Sequence, residues 1–263
     1  MDLEAIAKIA QEAEVPLIVD NTMATPWLCR PFEWGADLVV HSTTKFLSGQ
    51  GNAMGGIVID SGRFPWFGNA KYPSLSEPCP DYNGLTFAET FGDMAFTLYS
   101  HAVSLRDLGC TQSPMNAWIT LNGVETLPLR MERHVENAQK VAGFLQQHPS
   151  VEWVSYAGLS SSPYYQLAQK YLQGKAGSVF TFGIRGGYES GLRLLEKVEL
   201  FSHVSNIGDS RSLILHPAST THRQLSDEQR LTAGAGPEVI RLSVGIESAE
   251  DLIADLELSL IHI

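Results

Sequence analysis

"PLIVDNTMATPWLCRPFEWGADLVVHSTTKFLSGQGNAMGGIVID", residues 16–60, contains three short apolar runs: PLIVD (16–20), ADLVVHS (36–42) and GGIVID (55–60). Runs this short and this continuously apolar suit strands covered on both faces, as in a parallel sheet. A short helix is expected between the first two, over 28–34, stopping at Gly35. Upstream, Leu3, Ile6, Ile9 and Ala10 recur at helical spacing, which predicts a helix over 3–13 closed by Pro16. Strand and helix in quick alternation indicate an α/β layered domain with a mostly parallel sheet. About three strands precede residue 65, so either the sheet is small or an N-terminal portion belongs to it.

Downstream, residues 64–93 are rich in Pro, Gly, Asn and aromatic residues without clear periodicity. Such long excursions from compact domains are usually functional or interfacial. Helical patterns return over 87–107 and 113–122. A long amphipathic helix is expected from about 125 to 147, carrying Leu129, Met131, Val135, Ala138, Val141, Ala142 and Leu145, with Pro128 tolerated in its first turn. After it, VEWVSY, SVFTFGI and VIRLSVG read as strands, and 163–172, 188–197 and 248–260 as helices. That second half reads as a small α+β domain hinged on the long helix.

The 263 residues are 44% hydrophobic and 18% charged, enough for a substantial core and a sparsely charged surface that fits an oligomer interface. With 18 basic against 29 acidic residues the net charge is −11, and no Lys/Arg run occurs, so neither nucleic acid nor an anionic membrane is an expected partner. Cys29, Cys79 and Cys110 are scattered and odd in number, which fits neither a disulfide framework nor a zinc site. The first residues lack the basic and apolar regions of a signal peptide. A soluble, cytoplasmic protein is expected.

In open α/β sheets, ligands gather beyond the carboxyl ends of strands. The first strand ends at Asp20. The second runs into HSTTK, placing Ser42, Thr44 and Lys45 at a neighbouring lip. Pyridoxal phosphate (PLP) suits such a group: it needs a lysine amine for its Schiff base, a carboxylate to keep its pyridine nitrogen protonated, and donors for its phosphate. Taken singly, Asp20 reads equally as a turn or cap residue and Lys45 as a solvated side chain. The glycine-rich GQGNAMGG (49–56) lacks the closing Lys-Ser/Thr of a phosphate loop and the spacing of a dinucleotide fingerprint. His216 and His222 lack metal-ligand company, and a hydrogen-bonding role is expected for them. Trp66, Phe67, Tyr72 and Tyr82 are expected in core or interface.

The stretch VDNTMATPWLCRPFEWGADLVVHSTTKFLSGQGNAMGGIVID closely resembles the PLP-lysine signature of the Cys/Met-metabolism enzymes. SPMNAWITLNGVETLPLRMERH, SLILHPASTTH and IRLSVGIE resemble the family's later landmarks, so the likeness covers nearly the whole chain. It implies an aspartate-aminotransferase-like (fold type I) α/β fold, with 1–122 as the C-terminal part of the large PLP-binding domain and 123–263 as the small domain including the linking helix. It implies that Lys45 holds PLP and is the catalytic residue, Asp20 pairs with the pyridinium, Ser42 and Thr44 bind the phosphate, and Thr22 lies near the ring. By the same resemblance Ser212 and Arg241 hold the substrate's α-carboxylate, a task suited to the planar fork of a guanidinium.

Within the family, the long spacing between Lys45 and Ser113, with YPSLSEPCPDYNGLTF inside it, resembles the O-acetylhomoserine sulfhydrylases. This implies γ-replacement on O-acetyl-L-homoserine by sulfide or methanethiol, in a homo-oligomer (dimer or tetramer). Cystathionine γ-synthase, γ-lyase and a catalytically silent interaction subunit remain alternatives. The family's N-terminal portion, with a glycine-containing phosphate loop, a ring-stacking tyrosine and a tyrosine–arginine pair lent to a neighbouring subunit, has no match here. The resemblance therefore describes a fragment that holds PLP weakly by itself. Ile261 to Ile263 carry no expected role.

Overall fold

The first turn of the chain is set locally: the Asp2 carboxylate accepts from Ala5 N at 3.2 Å and caps helix α1 (Leu3–Glu12). There follow β1 (Ile18–Asp20), α2 (Thr25–Leu28), a 3-10 turn Pro31–Trp34, β2 (Leu38–Ser42), a π-helical turn Thr43–Leu47 and β3 (Gly56–Asp60). Next are α3 (Pro73–Ser76), α4 (Phe87–Phe91), α5 (Ala95–Tyr99), α6 (Pro114–Glu125), α7 (Leu127–Gln147), β4 (Val151–Ser155), α8 (Tyr165–Tyr171) and β5 (Val179–Ile184). The chain ends with α9 (Gly187–Lys197), β6 (Ser202–His203), β7 (Leu213–Leu215), α10 (Asp227–Thr232), β8 (Val239–Ser243) and α11 (Ala249–Leu260). The computed structural model describes residues 1–261; His262 and Ile263, in the tail without an expected role, lie outside the described residues. The single helix expected over 28–34 is instead two pieces. Pro31 disfavours helical backbone at the residue before it, and Cys29 and Arg30 are accordingly out of the helix, Cys29 fully extended.

The chain divides into two compact units. The first comprises Met1–Asn21, Arg30–Ser42 and Gly55–Ala117. Its sheet has the order β1-β2-β3. β1 and β2 are parallel, with Asp20 opposite Val40, whereas β2 and β3 are antiparallel, with Ser42 opposite Gly56. The mostly parallel sheet read from the sequence is thus mixed. A parallel return needs a crossover, usually a helix, and residues 43–55 supply only one wide helical turn. The excursion after β3 builds its own core from Phe64, Trp66, Leu75, Phe87, Ala88 and Ala95, with Tyr72 and Tyr82 packed against it. Trp66 stacks on Phe96 at 5.6 Å and meets Tyr72 edge-on. Phe67 stays outside this core, 68% exposed.

The second unit comprises Thr22–Cys29, Thr43–Met54 and the chain from Trp118 onward. Its five-stranded sheet has the order β4-β5-β8-β7-β6, with only β6 and β7 parallel. Along α7, Ala138, Val141, Ala142 and Leu145 recur every three or four residues. They share a core with Phe182 and Ile184 of β5, Ile240 and Leu242 of β8, and Leu252 and Leu256 of α11. A second cluster joins Leu28, Phe46 and Leu47 to Leu127, Met131 and Val135. Each fully buried large side chain stabilises by roughly 1.5–3 kcal/mol. That cluster is the physical reason why two short early segments, read from the sequence as part of 1–122, count with the later residues.

Candidate functional site

In the first unit, Asp20 and Ser42 are the last residues of neighbouring parallel strands, so both stand at the carboxyl edge of the sheet. Asp20 is exposed there and Ser42 half-buried. His41 is buried beside them; burial holds its ring below the usual histidine range, opposed by the charge of Asp20.

In the second unit the chain continues from Ser42 into the π-helical turn that carries Thr44 and Lys45. Lys45 interrupts the helical backbone (φ −93°, ψ −128°), and the turn is closed by Ser48 N donating to Thr43 O at 3.1 Å and Gly49 N to Lys45 O at 2.8 Å. Phe46, with no exposed surface, anchors the turn in the core. Thr22 is buried in the same unit and Thr44 half-buried.

The Lys45 amine donates to Asn206 Oδ1 at 2.5 Å. The backbone oxygen of that same asparagine accepts from Arg241 Nη2 at 3.3 Å. Arg241 comes from the middle of β8, and partial burial lowers its pKa. Among the described residues no carboxylate lies within 4.0 Å of the Lys45 amine. The loop bearing Asn206 is drawn against the lysine turn. Gly208 N donates to Ser243 Oγ at 3.0 Å and Ser210 N to Gly49 O at 2.9 Å. Gly208 has φ +73°, and a Cβ there would stand 2.7 Å from Phe46 N. The approach of loop to turn therefore requires glycine.

Of the residues read from the sequence, the structure brings Lys45 and Arg241 together around Asn206. Ser212 is placed differently. It is fully buried, its hydroxyl donates to Glu247 Oε2 at 2.8 Å and accepts from Gly245 N at 2.8 Å, and its backbone N donates to Glu247 Oε1. Its side chain thereby ties the start of β7 to the segment after β8. That segment is also held by α7: His134 Nδ1 donates to Val244 O at 2.6 Å, and Asn137 Nδ2 to Gly245 O and Glu247 O. Burial holds His134 neutral, with its pKa lowered to about 4. Sequence reasoning missed Asn206, whose only local signal is a polar turn run, SNIGDS, between strands. His216 bonds to Ser219 Oγ and Pro237 O, the hydrogen-bonding role expected of it. His222 Nδ1 faces Thr221 Oγ1. Among the described residues no group of His, Cys, Asp or Glu could hold a metal ion. A cavity of about 1000 Å³ along α1 and residues 63–71 contains none of these site residues.

The chemistry of the Lys45 turn fits PLP: an amine on a neutral acceptor, with the Thr44 hydroxyl directly before it in the chain. One asparagine thus meets the Lys45 amine through its side chain and the Arg241 guanidinium through its backbone. Over residues 1–261 the chain belongs to the Cys/Met metabolism PLP-dependent enzyme family. It is 50% identical, over its full length, to the O-acetyl-L-homoserine sulfhydrylase of Leptospira meyeri, of which it covers 61%. It is 50% identical over 97% of its length to O-acetyl-L-homoserine sulfhydrylase 1 of Thermus thermophilus, again covering 61% of that protein. A crystal structure from Campylobacter jejuni, described as an O-acetylhomoserine (thiol)-lyase, superposes with a TM-score of 0.94 at 42% identity, over 99% of this chain and 62% of its own. That protein carries N′-pyridoxyl-lysine 5′-monophosphate. The chain thus spans about three-fifths of the length of the relatives it matches. No helix among the described residues is long and apolar enough to cross a membrane.

Proposed function

We propose that the chain is the lysine-bearing part of a PLP-dependent enzyme that replaces the γ-substituent of O-acetyl-L-homoserine with sulfide or methanethiol, giving homocysteine or methionine and acetate. The observation that carries this reading is Asn206, which accepts from the Lys45 amine through its side chain and from Arg241 through its backbone. It supports reading the Lys45 amine as the proton carrier and Arg241 as the carboxylate clamp, since both meet this one residue. Arg241 holds the substrate's α-carboxylate with its planar fork, which fixes Cα and its proton relative to Lys45. The Lys45 amine takes the Cα proton and remains available for the later proton shifts towards Cγ. PLP, when bound, supplies an electron sink for the charge left at Cα. By the family resemblance Asp20 would pair with the cofactor's ring nitrogen, Thr22 would lie near the ring, and Ser42 and Thr44 would donate to its phosphate. Ser212, which the resemblance also assigns to the carboxylate, contributes through the Glu247 and Gly245 bonds that hold the end of β8. A homo-oligomer working in the cytoplasm completes the proposal.

Borohydride reduction of the protein with PLP, followed by peptide mass spectrometry, tests the reading. A pyridoxyl group should appear on Lys45 and be lost in Lys45→Ala, together with homocysteine formation from O-acetylhomoserine and sulfide. Labelling of another lysine with turnover intact in Lys45→Ala would remove Lys45 from this role. Keto acid and ammonia as the products would point to a γ-lyase, and cystathionine formed with cysteine to a synthase.

A further inference from the structure

We propose that Arg130, on α7, is a positioning residue that sets where the Lys45 amine stands. Its guanidinium gathers the backbone around the lysine turn. Nη1 donates to Phe46 O at 2.8 Å, and Nη2 donates to Gly123 O at 2.6 Å and to Leu47 O at 3.4 Å. Nε donates to Thr126 Oγ1 at 3.2 Å, which orients the fork from the residue that precedes its own helix. Among the described residues no carboxylate lies within ion-pair distance of Arg130. A guanidinium does not lose its proton in proteins, so this partly buried cation is balanced by carbonyl dipoles, two of them from the residues that directly follow Lys45.

The surroundings are cut to fit that guanidinium. A Cβ at Gly49, where φ is +76°, would lie 2.2 Å from Arg130 Nη1. A Cβ at Gly123 would lie 2.3 Å from Leu47 O and 2.5 Å from Ser48 O. Two glycines therefore admit one arginine and one helix to the carbonyl side of the turn. The helical backbone of the turn breaks at Lys45, and the Phe46 and Leu47 carbonyls just beyond the break are the ones Arg130 holds. A short segment so placed relaxes when its carbonyls lose their donor, and the amine at its centre moves away from Asn206. The inference rests on the proposal that Lys45 carries PLP.

The test compares wild type with Arg130→Lys, which keeps the charge but loses the fork, and with Thr126→Val, which leaves the guanidinium in place but removes its orienting acceptor and that hydroxyl's bond to Gly123 O. PLP-loaded protein is scored for pyridoxyl-Lys45 after borohydride, for the pH midpoint of the visible absorbance, for kcat and KM, and for melting temperature. In Arg130→Lys we expect kcat to fall roughly 10- to 100-fold, the cost of a misplacement of about 1 Å, with KM for O-acetylhomoserine within about threefold because Arg241 is untouched. The pH midpoint should move, and Thr126→Val should shift kcat and midpoint in the same direction by less. If Arg130→Lys does not fold, Thr126→Val carries the test alone. An unchanged midpoint and kcat in the folded variants, with only a lower melting temperature, would overturn the proposal. Wild type without pyridoxyl-Lys45 would instead overturn the cofactor reading beneath it.

Discussion

Asn206 shows how much one uncharged residue can decide. Its amide oxygen accepts from Lys45 without adding negative charge beside the amine. Asn206→Asp keeps the shape but places a carboxylate against the ammonium, and an opposite charge at hydrogen-bond distance favours the protonated lysine. The acidic limb of the pH–kcat profile should therefore move to higher pH, with activity recovering in alkaline buffer. A superimposable profile would show that Asn206 does not face the working amine. Arg241→Lys tests the other partner of Asn206. It retains a positive charge but loses bidentate reach, and one charge-assisted hydrogen bond is worth about 1.5–3 kcal/mol. KM for O-acetylhomoserine should rise roughly 10- to 100-fold, with the cofactor's absorbance unchanged. An unaltered KM would remove Arg241 from the carboxylate.

Among the elements, α6 and α7 matter most for the lysine turn. Gly123 lets α6 touch that turn backbone to backbone, and Phe46 is held between the Arg130 and His134 rungs of α7, its ring edge-on to His134 at 5.4 Å. Gly123→Ala adds one methyl where Leu47 O and Ser48 O leave no space. Relief requires α6 or the turn to shift, and overpacking of this kind costs about 1–3 kcal/mol. Alanine is the better helix former, so a helix in open solvent would gain from the change. Equilibrium denaturation should show destabilisation together with weaker PLP binding. A stabilised variant would mean that α6 does not press on the turn.

For the whole molecule, charge and burial combine in the response to acid. His41, His134 and His216 are all buried, and burial lowers the pKa of each. For His134 the folded value is about 4 against an ordinary 6.5. Between those limits the unfolded chain binds more protons than the folded one, so stability is full above pH 6.5 and is lost as pH falls towards 4. For His134 alone the loss at the acid end is about 3 kcal/mol. His134→Gln can still donate to Val244 O but cannot titrate. Its melting temperature should fall less steeply than that of wild type between pH 6.5 and 4.5; equal slopes would show that His134 does not titrate in this range.

Much of this protein was legible in the order of its residues. The α1 and α7 helices, the strands at 18–20, 38–42, 179–184 and 239–243, and the strand-end positions of Asp20 and Ser42 all follow from apolar periodicity and local stop signals. Local signals need only neighbours in sequence. The direction of β3 was not legible, because it depends on what the connection from 43 to 55 can span. Nor was the pairing of Lys45 with Asn206, which are 161 positions apart, or of Arg130 with Phe46, 84 apart. The occupation of the Ser212 hydroxyl by Glu247 and Gly245 was equally hidden. The sequence by itself determined the main helices and strands and the position of Lys45 just past the end of β2. Only the tertiary structure decided what the lysine's amine faces and what holds its turn, because a polar atom's partner is chosen by whichever segments packing brings within 3 Å.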